Sequence, residues 1–273
     1  MSRSRNLELT FKKEDEILLE KALECYNSYD DFGADFFIRG AIKIDKKNPK
    51  AYVIRGLLEM ETMFFEAAIE NYNIAIQYSH NYPEMKASAY YYRGMAHFEM
   101  DDNYDAILDL IKAVDIYPNV PYGFYQCGRV RWLTGDEHGV ISYFDKAIEL
   151  DPMDPFAYYY RTLVNVNSGE DEDAIEDLNK FLELLHEGSY IINKEIGDSV
   201  GTSYFVEGVV KWQSGYYLES IEEFSKAIES DNNMIISYFA RASSYEKLGN
   251  IEKAEEDRKK ASNLVSKRYM QVE

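Results

Sequence analysis

Apolar and small residues recur along this chain at spacings of three and four, which is typical of helices that bury one face. The clearest example is the stretch 124–152, whose first half places Phe124, Gly128 and Arg131 on one helical face. Gly135 favours the end of that helix, because glycine readily adopts the backbone conformation that closes a helix. The second half repeats the spacing and ends at an aspartate–proline pair, since proline disfavours helical geometry in the preceding residue. The stretch is therefore predicted to form a helical hairpin.

Near-copies of this hairpin recur from end to end. The small residue of each first helix is found at Ala22, Gly56, Gly94, Gly128, Thr162, Gly208 and Ala242. The steps between these positions are 34, 38, 34, 34, 46 and 34 residues. A second marker twelve residues further on keeps the same register, at Ala34, Ala68, Ala106, Val140, Ala174, Ser220 and Ala254. One register held through seven copies predicts an array of seven helical hairpins.

Segments such as 89–118 and 203–231 resemble the tetratricopeptide repeat, a family whose 34-residue unit consists of two antiparallel helices. The resemblance implies an all-α fold, a right-handed superhelical solenoid of antiparallel helix pairs. Seven units are predicted at 15–48, 49–82, 87–120, 121–154, 155–188, 201–234 and 235–268. They are expected to form a single array, with a polar leader at 1–14, an insertion at 189–200 and a tail at 269–273.

Two features depart from the regular pattern. The insertion at 189–200 is either a passive extension with a loop, or a hinge or flap over a groove. Its Tyr190, Ile191 and Ile192 are apolar enough that another surface is expected to cover them from solvent. In the last unit Arg258 stands where the family usually has an aromatic residue, so the second helix of that unit is expected to be looser and more exposed.

The net charge of the chain makes some classes of ligand unfavourable. Its 273 residues carry 49 acids against 30 bases, a formal net charge of −19. Such a field repels phosphate backbones and anionic lipid surfaces, so neither nucleic acid nor a membrane is an expected partner. No apolar run follows the first arginines, so no secretory signal is expected. Cys25 and Cys127 are interpreted as reduced, buried side chains, and together these features predict a cytoplasmic protein.

The sequence contains little evidence for a catalytic function. The histidines His80, His97, His138 and His186 occupy unrelated unit positions and do not form a metal-ligand spacing. The acidic run 170–173 lacks the glycine and the distal glutamate of a calcium loop, and it suits the start of a helix. No phosphate-binding loop or nucleophile motif is present. We therefore expect a non-enzyme without a cofactor or a metal.

Arginine recurs at one repeat position, as Arg55, Arg93, Arg161 and Arg241. Four arginines in register could form an anion-binding ladder. However, Asn71, Asp109, Asp177 and Asp257 follow sixteen residues after them, on the facing helix of each hairpin. Arginine forks match carboxylates well, so internal pairs are the simpler expectation.

The first helices are apolar nearly all round, which is unusual for a surface helix. By resemblance, unit positions two, five, six, nine, twelve and thirteen line the concave face of the superhelix. The predicted partner-binding residues are Tyr91, Tyr92, Phe98, Tyr122, Tyr125, Arg129, Trp132, Phe156, Tyr159, Tyr160, Phe205 and Trp212. The alternative is that neighbouring first helices bury these aromatic residues against one another.

The predicted function is that of a scaffold, which binds a peptide or helical segment of another protein in this aromatic groove. Acidic Glu20, Glu61 and Glu99 suggest a ligand that carries positive charge as well as apolar anchors. The lysines and asparagines that clamp a chaperone carboxylate in some members of the family are absent from the matching positions. A homo-oligomeric structural protein and a regulatory subunit of a separate enzyme are the alternatives.

Overall fold

The computed structural model describes residues 13–119, 121–136, 139–168, 170–185 and 199–269. Within these residues it contains fourteen α-helices and no β-strand, as the sequence predicted. In chain order they are α1 (Glu14–Asn27), α2 (Asp31–Ile44), α3 (Pro49–Glu61), α4 (Phe65–Tyr78), α5 (Pro83–Glu99), α6 (Asn103–Ile116), α7 (Pro121–Leu133), α8 (Val140–Leu150), α9 (Pro155–Ser168), α10 (Asp171–Leu184), α11 (Val200–Gln213), α12 (Tyr217–Ser230), α13 (Ile235–Lys247) and α14 (Ile251–Tyr269).

Consecutive helices pack as hairpins, α1 with α2 and so on to α13 with α14. The contacts divide the described residues into two compact units, with the division between residues 119 and 120. The first unit contains α1–α6 and the second contains α7–α14. Within each unit the second helix of one hairpin also packs on the first helix of the next, as α4 does on α5 and α12 on α13. Each hairpin thus completes its core with a neighbour, as in repeat proteins generally.

In several hairpins a ring of the second helix lies over a glycine of the first. A Cβ atom added to Gly128 would come within 2.9 Å of the Phe144 ring, and one added to Gly208 within 2.6 Å of the Phe224 ring. Both rings are fully buried. The glycine is therefore required by the space that the ring fills.

The second unit departs from a regular array because its last hairpin contacts the fifth hairpin as well as the sixth. Helix α10 packs on both α11 and α13, and α9 packs on α14. The Gln213 side chain donates to the carbonyl oxygens of Leu182 at 2.7 Å and Leu185 at 2.6 Å. The Ser243 hydroxyl donates to Asn179 Oδ1 at 2.7 Å. Most of the predicted insertion, with the question of a hinge or a flap, lies outside the described residues.

The last helix, α14, is expected to be looser and more exposed, and ten of its residues 251–267 are exposed. Ala254, Ala261 and Val265 on α14 are buried. The helix is held by α13 on one side and by α9 on another, and Arg258 forms an ion pair with Glu246. The helix therefore keeps a buried row against its neighbours although Arg258 replaces the usual aromatic residue.

Two smaller expectations can be compared with the structure. Cys127 is buried as predicted, whereas Cys25 is partly exposed. None of the described helices combines the length and the apolar character needed to span a membrane.

Among the described residues, six hairpin turns contain one residue with a positive φ at the same unit position. In the second unit this residue is glycine in three hairpins, with φ of 77° at Gly135, 80° at Gly215 and 74° at Gly249. In the first unit the same unit position holds Tyr29, Met63 and Asp101, with φ of 59°, 62° and 60°. A side chain in this left-handed region brings Cβ close to the following carbonyl oxygen and is unfavourable. The first unit therefore carries backbone strain at its turns.

We expect Met63→Gly to raise the free energy of unfolding by roughly 0.5–1 kcal/mol, because glycine adopts a positive φ without this clash. The Met63 side chain is 73% exposed, so little packing is lost. The matched reverse change, Gly215→Ala, is expected to destabilise by a similar amount, since nothing lies within 4 Å of the added Cβ atom and the effect is conformational. Urea unfolding measures both, and a destabilising Met63→Gly would contradict the strain.

Candidate functional site

Three of the four repeated arginines form the internal pairs that the sequence predicted, whereas Arg55 pairs with Glu59 on its own helix. Arg161 Nε and Nη2 donate to the two carboxylate oxygens of Asp177 at 2.8 and 2.7 Å. Arg241 makes the same two-pronged contact with Asp257, also at 2.8 and 2.7 Å. In the first unit Arg93 donates to Asp109 at 2.6 and 2.8 Å. In each case the fork joins the two helices of one hairpin.

A third donor of each arginine reaches the preceding hairpin. Arg161 Nη1 donates to Asp145 at 2.6 Å, and Arg241 Nη1 donates to Ser225 at 2.9 Å. Hydrogen bonds to Asp177, and to a smaller extent to Asp145, raise the pKa of Arg161, so this arginine stays charged. Because these donors are engaged within the protein, the arginines join neighbouring hairpins and do not support an anion-binding ladder.

In two other hairpins different polar residues form the contact between the two helices. In the second hairpin Asn71 donates to Glu59 at 2.6 Å, and Glu59 pairs with Arg55 at 3.4 Å. In the sixth hairpin buried Glu223 accepts from Lys226 at 2.8 Å and from Lys211 at 3.0 Å.

Replacing Arg161 by methionine is expected to lower the free energy of unfolding by about 3 kcal/mol, because it removes the cation from a buried carboxylate. The Asp177 side chain is only 5% exposed. The control is Arg39→Met, whose pair with Asp35 lies at the surface and is expected to contribute less than about 0.5 kcal/mol. Equal losses in urea unfolding would contradict the structural role of Arg161.

The ion pairs of Glu223 predict how the stability of the protein depends on pH. Hydrogen bonds from Lys226 and Lys211 lower the pKa of Glu223 below its ordinary value of 4.5. A carboxyl with a lowered pKa stabilises the fold fully above about pH 4.5, and this stabilisation is lost as the pH falls through the lowered pKa. Glu223→Gln is therefore expected to lose less stability on acidification than the native chain does. Urea midpoints measured from about pH 6 to about pH 3 test this, and parallel curves would contradict it.

The first unit keeps part of the predicted groove accessible. We define its first-helix face as the partly exposed apolar residues Leu23, Tyr26, Leu57, Met60, Tyr91, Tyr92, Met95 and Phe98, on α1, α3 and α5. Tyr92 stacks on buried Tyr72, with ring centroids 6.0 Å apart, and Tyr91 meets the edge of Tyr92 at 5.0 Å. The Tyr26 hydroxyl donates to Glu61 Oε1 at 3.0 Å, so an acidic group borders the face. This face combines aromatic area with negative charge.

The second unit buries half of the twelve predicted contact residues. Their exposed fractions are 3% for Tyr125, 7% for Trp132, 3% for Phe156, 5% for Tyr160, 0% for Phe205 and 6% for Trp212. Tyr122 is 48% exposed, and Arg129 and Tyr159 are partly exposed. The assignment of the six buried residues as contacts remains untested, but in this conformation they present almost no surface to a partner.

Packing between neighbouring helices explains this burial. Tyr125 on α7 meets the edge of Tyr160 on α9, with centroids 5.8 Å apart. Phe205 on α11 stacks on Phe181 of α10 at 6.5 Å. Trp212 Nε1 donates to Ser243 on α13 at 3.1 Å. The alternative interpretation of the aromatic pattern, mutual burial, therefore describes these residues in the second unit.

Arg129 has an internal aromatic neighbour. Its Nε donates to the Tyr160 hydroxyl at 3.1 Å, and its guanidinium carbon lies 6.0 Å from the centre of the Tyr160 ring. The contact with Tyr160 has the distance of a cation–π interaction and lies within the protein.

Two features of the described residues were missed by the sequence reasoning. A cavity of about 140 Å³ beside Trp132 is lined also by Gly139, Val140, Ile141, Val164, Asn167 and Ser168. It arises where two hairpins meet, so no single motif marks it. His97, Asp102 and Asp105 bring three potential metal-ligand atoms within 4.8 Å of one another. His97 Nδ1 lies 3.2 Å from Asp102 Oδ2 across the turn between α5 and α6, and both carboxylates are exposed.

Comparison with known proteins supports the resemblance. A model of the tetratricopeptide repeat family matches residues 201–234 and 235–264, the sixth and seventh predicted units. No curated protein sequence matches the chain.

Solved structures share the fold over most of the chain. A tetratricopeptide repeat protein from Parabacteroides merdae has a TM-score of 0.53 and 15% identity, over 94% of this chain and 98% of that one. The pilF protein of Pseudomonas aeruginosa has a TM-score of 0.62 and 15% identity, over 80% of this chain and 92% of that one. YrrB, a TPR protein, has a TM-score of 0.52 and 19% identity, over 75% and 97% of the two chains. The matched repeats and the shared solenoid fold support the assignment of the chain to the tetratricopeptide repeat proteins.

Proposed function

We propose that the protein is a non-catalytic scaffold that binds a segment of another protein through the first-helix face of its first unit. The observation that carries the proposal is the stripe of Tyr91, Met95 and Phe98 on α5, which stays partly exposed. These residues lie four and three positions apart, so they form one continuous row along the helix. A row of large apolar side chains with accessible surface is typical of binding sites.

Neighbouring helices extend this row into a surface. Leu57 and Met60 on α3 and Tyr26 on α1 are also partly exposed, and α3 packs against both α1 and α5. Burying one such side chain in a partner contributes on the order of 1.5–3 kcal/mol, so a few of them suffice for useful affinity. We therefore propose a peptide or a helix with several apolar anchors as the ligand.

Acidic residues on the same helices define the charge of the ligand. Glu61 follows Met60 at the end of α3, and Glu99 follows Phe98 at the end of α5. Both are exposed, and a formal net charge of −19 strengthens the negative field around them. Opposite charge favours encounter with a basic segment. The ligand is thus expected to place lysine or arginine beside its apolar anchors.

The comparisons support a binding role. Tetratricopeptide repeat proteins bind other proteins, and YrrB is described as having an unusual peptide-binding site. By analogy we propose peptide binding for this chain, in the cytoplasm and without a cofactor. In the second unit Tyr122, Arg129 and Tyr159 keep exposed surface and are proposed as further contacts, whereas the six buried residues support the fold beneath them.

The first test is light scattering coupled to size exclusion over a hundredfold range of concentration, followed by capture of partners from a lysate. The decisive variant is Tyr91→Ala with Phe98→Ala. It is expected to weaken binding of a captured, purified partner by at least about tenfold, because two anchors are lost. Tyr125 and Trp132 are poor choices for this test, since alanine at these buried positions leaves cavities.

Two results would overturn the proposal. The first is a captured partner that binds the double variant as tightly as the native chain, with the variant's melting temperature unchanged. The second is a dimer, independent of concentration, that the double variant converts to a monomer. That dimer would mean that the face serves self-assembly, which is the homo-oligomeric alternative.

A further inference from the structure

The turns of the first three hairpins expose an unusual amount of apolar surface. We define the turn edge as six residues in these turns and the helix ends beside them. Their exposed fractions are 92% for Tyr29, 93% for Phe32, 73% for Met63, 64% for Phe64, 40% for Met100 and 74% for Tyr104. None of them belongs to the first-helix face.

These residues lie along one edge of the first unit. Helix α1 packs on α3, and α3 packs on α5. Because a returning helix separates each pair, the three first helices run in the same direction and their carboxyl ends meet at the same edge. The hydrogen bond from Tyr26 to Glu61 joins the first two turns at this edge. Ala68 at the start of α4 packs in one cluster with Ala96 near the end of α5, which joins the second turn to the third.

The residues at this edge are unfavourable for the stability of the protein when no partner is bound. Tyr29 and Met63 adopt a positive φ at the turn position where the second unit has glycine. Their exposure means that burial within the protein does not offset this strain. Strained backbone and exposed aromatic surface at one place are features of binding sites more than of stable surfaces.

The charge around the turn edge indicates which kind of partner can bind there. The three turn segments 28–36, 61–69 and 99–107 contain nine acidic residues and no lysine or arginine. An anionic lipid surface would be repelled by these acids. A second copy of this chain would bring an equally acidic edge, so self-docking is opposed as well.

We propose that the turn edge is a second docking surface, which binds a segment of another protein that carries lysine or arginine interspersed with leucine or aromatic side chains. The apolar groups of this segment cover the rings of Phe32, Phe64 and Tyr104. Its basic groups pair with the carboxylates of Asp31, Asp102 and their neighbours. This surface adjoins the first-helix face and shares Glu61 and Glu99 with its border, so one partner can engage both.

The test is selection from a random peptide display library on the full native chain. Selected peptides are expected to be rich in lysine, arginine and large apolar residues, and to bind more weakly as salt is added. The variant Phe32→Ser, Phe64→Ser and Tyr104→Ser is expected to lose at least about tenfold in affinity for them. The matched control is Met153→Ser, Tyr216→Ser and Leu218→Ser, which are 64%, 61% and 66% exposed elsewhere and should leave affinity unchanged.

Several results would overturn the proposal. They include selection of no peptides, selection of neutral or acidic peptides, and equal binding by the two triple variants. Loss of binding in Tyr91→Ala with Phe98→Ala, but not in the turn-edge variant, would assign the peptides to the first-helix face instead. Dissociation of a dimer by the turn-edge variant would assign the edge to a second copy. Binding only after removal of residues 1–12, which include three basic residues, would assign it to the chain itself.

Discussion

The close approach of two helices at a small residue is the constraint on which the rest of the structure depends. Where Phe144 lies over Gly128, or Phe224 over Gly208, a β-carbon on the glycine would clash with the ring. This contact sets the distance and the rotation of the two helices in a hairpin. In the third hairpin Gly94 takes this position, and a β-carbon on it would come within 3.3 Å of Asp109 Cβ. The neighbouring Arg93 pairs with Asp109, sixteen residues later, and its remaining guanidinium donor reaches Asn73 in the preceding hairpin. In this hairpin the close helix contact and the link to the preceding hairpin therefore lie side by side.

These features could be predicted from the sequence because they are local. Gly128 and Phe144, or Arg161 and Asp177, are sixteen residues apart, and the short turn between their helices leaves few alternatives. Helix ends, the order of hairpins and the arginine pairs follow from spacings inside one repeat. The matched family model, which begins at residues 201 and 235, has the same register as the predicted sixth and seventh units.

The burial of the aromatic residues could not be predicted in the same way. Whether Trp212 is exposed depends on Ser243 and, through it, on Asn179, which is 64 residues away from Ser243. That contact exists because the last hairpin also packs on the fifth, and no spacing within a repeat specifies it. Equivalent positions therefore differ: Phe98 remains partly exposed on α5, while Trp132 and Trp212 are buried on α7 and α11. A role assigned by unit position alone does not carry over from one unit to the other.

The same difference explains how a repeat protein can divide stability and recognition between its units. In the second unit the aromatic side chains form one continuous cluster, in which Phe144, Phe181, Phe205 and Phe224 are fully buried. In the first unit the fully buried core is made chiefly of alanine and aliphatic residues, and the aromatic side chains of α5 remain near the surface. The first unit also keeps non-glycine residues at strained turns, where the second unit has glycine. Exposed rings gain nothing from burial and strained turns cost stability, and their presence together supports the proposal that this surface binds a partner.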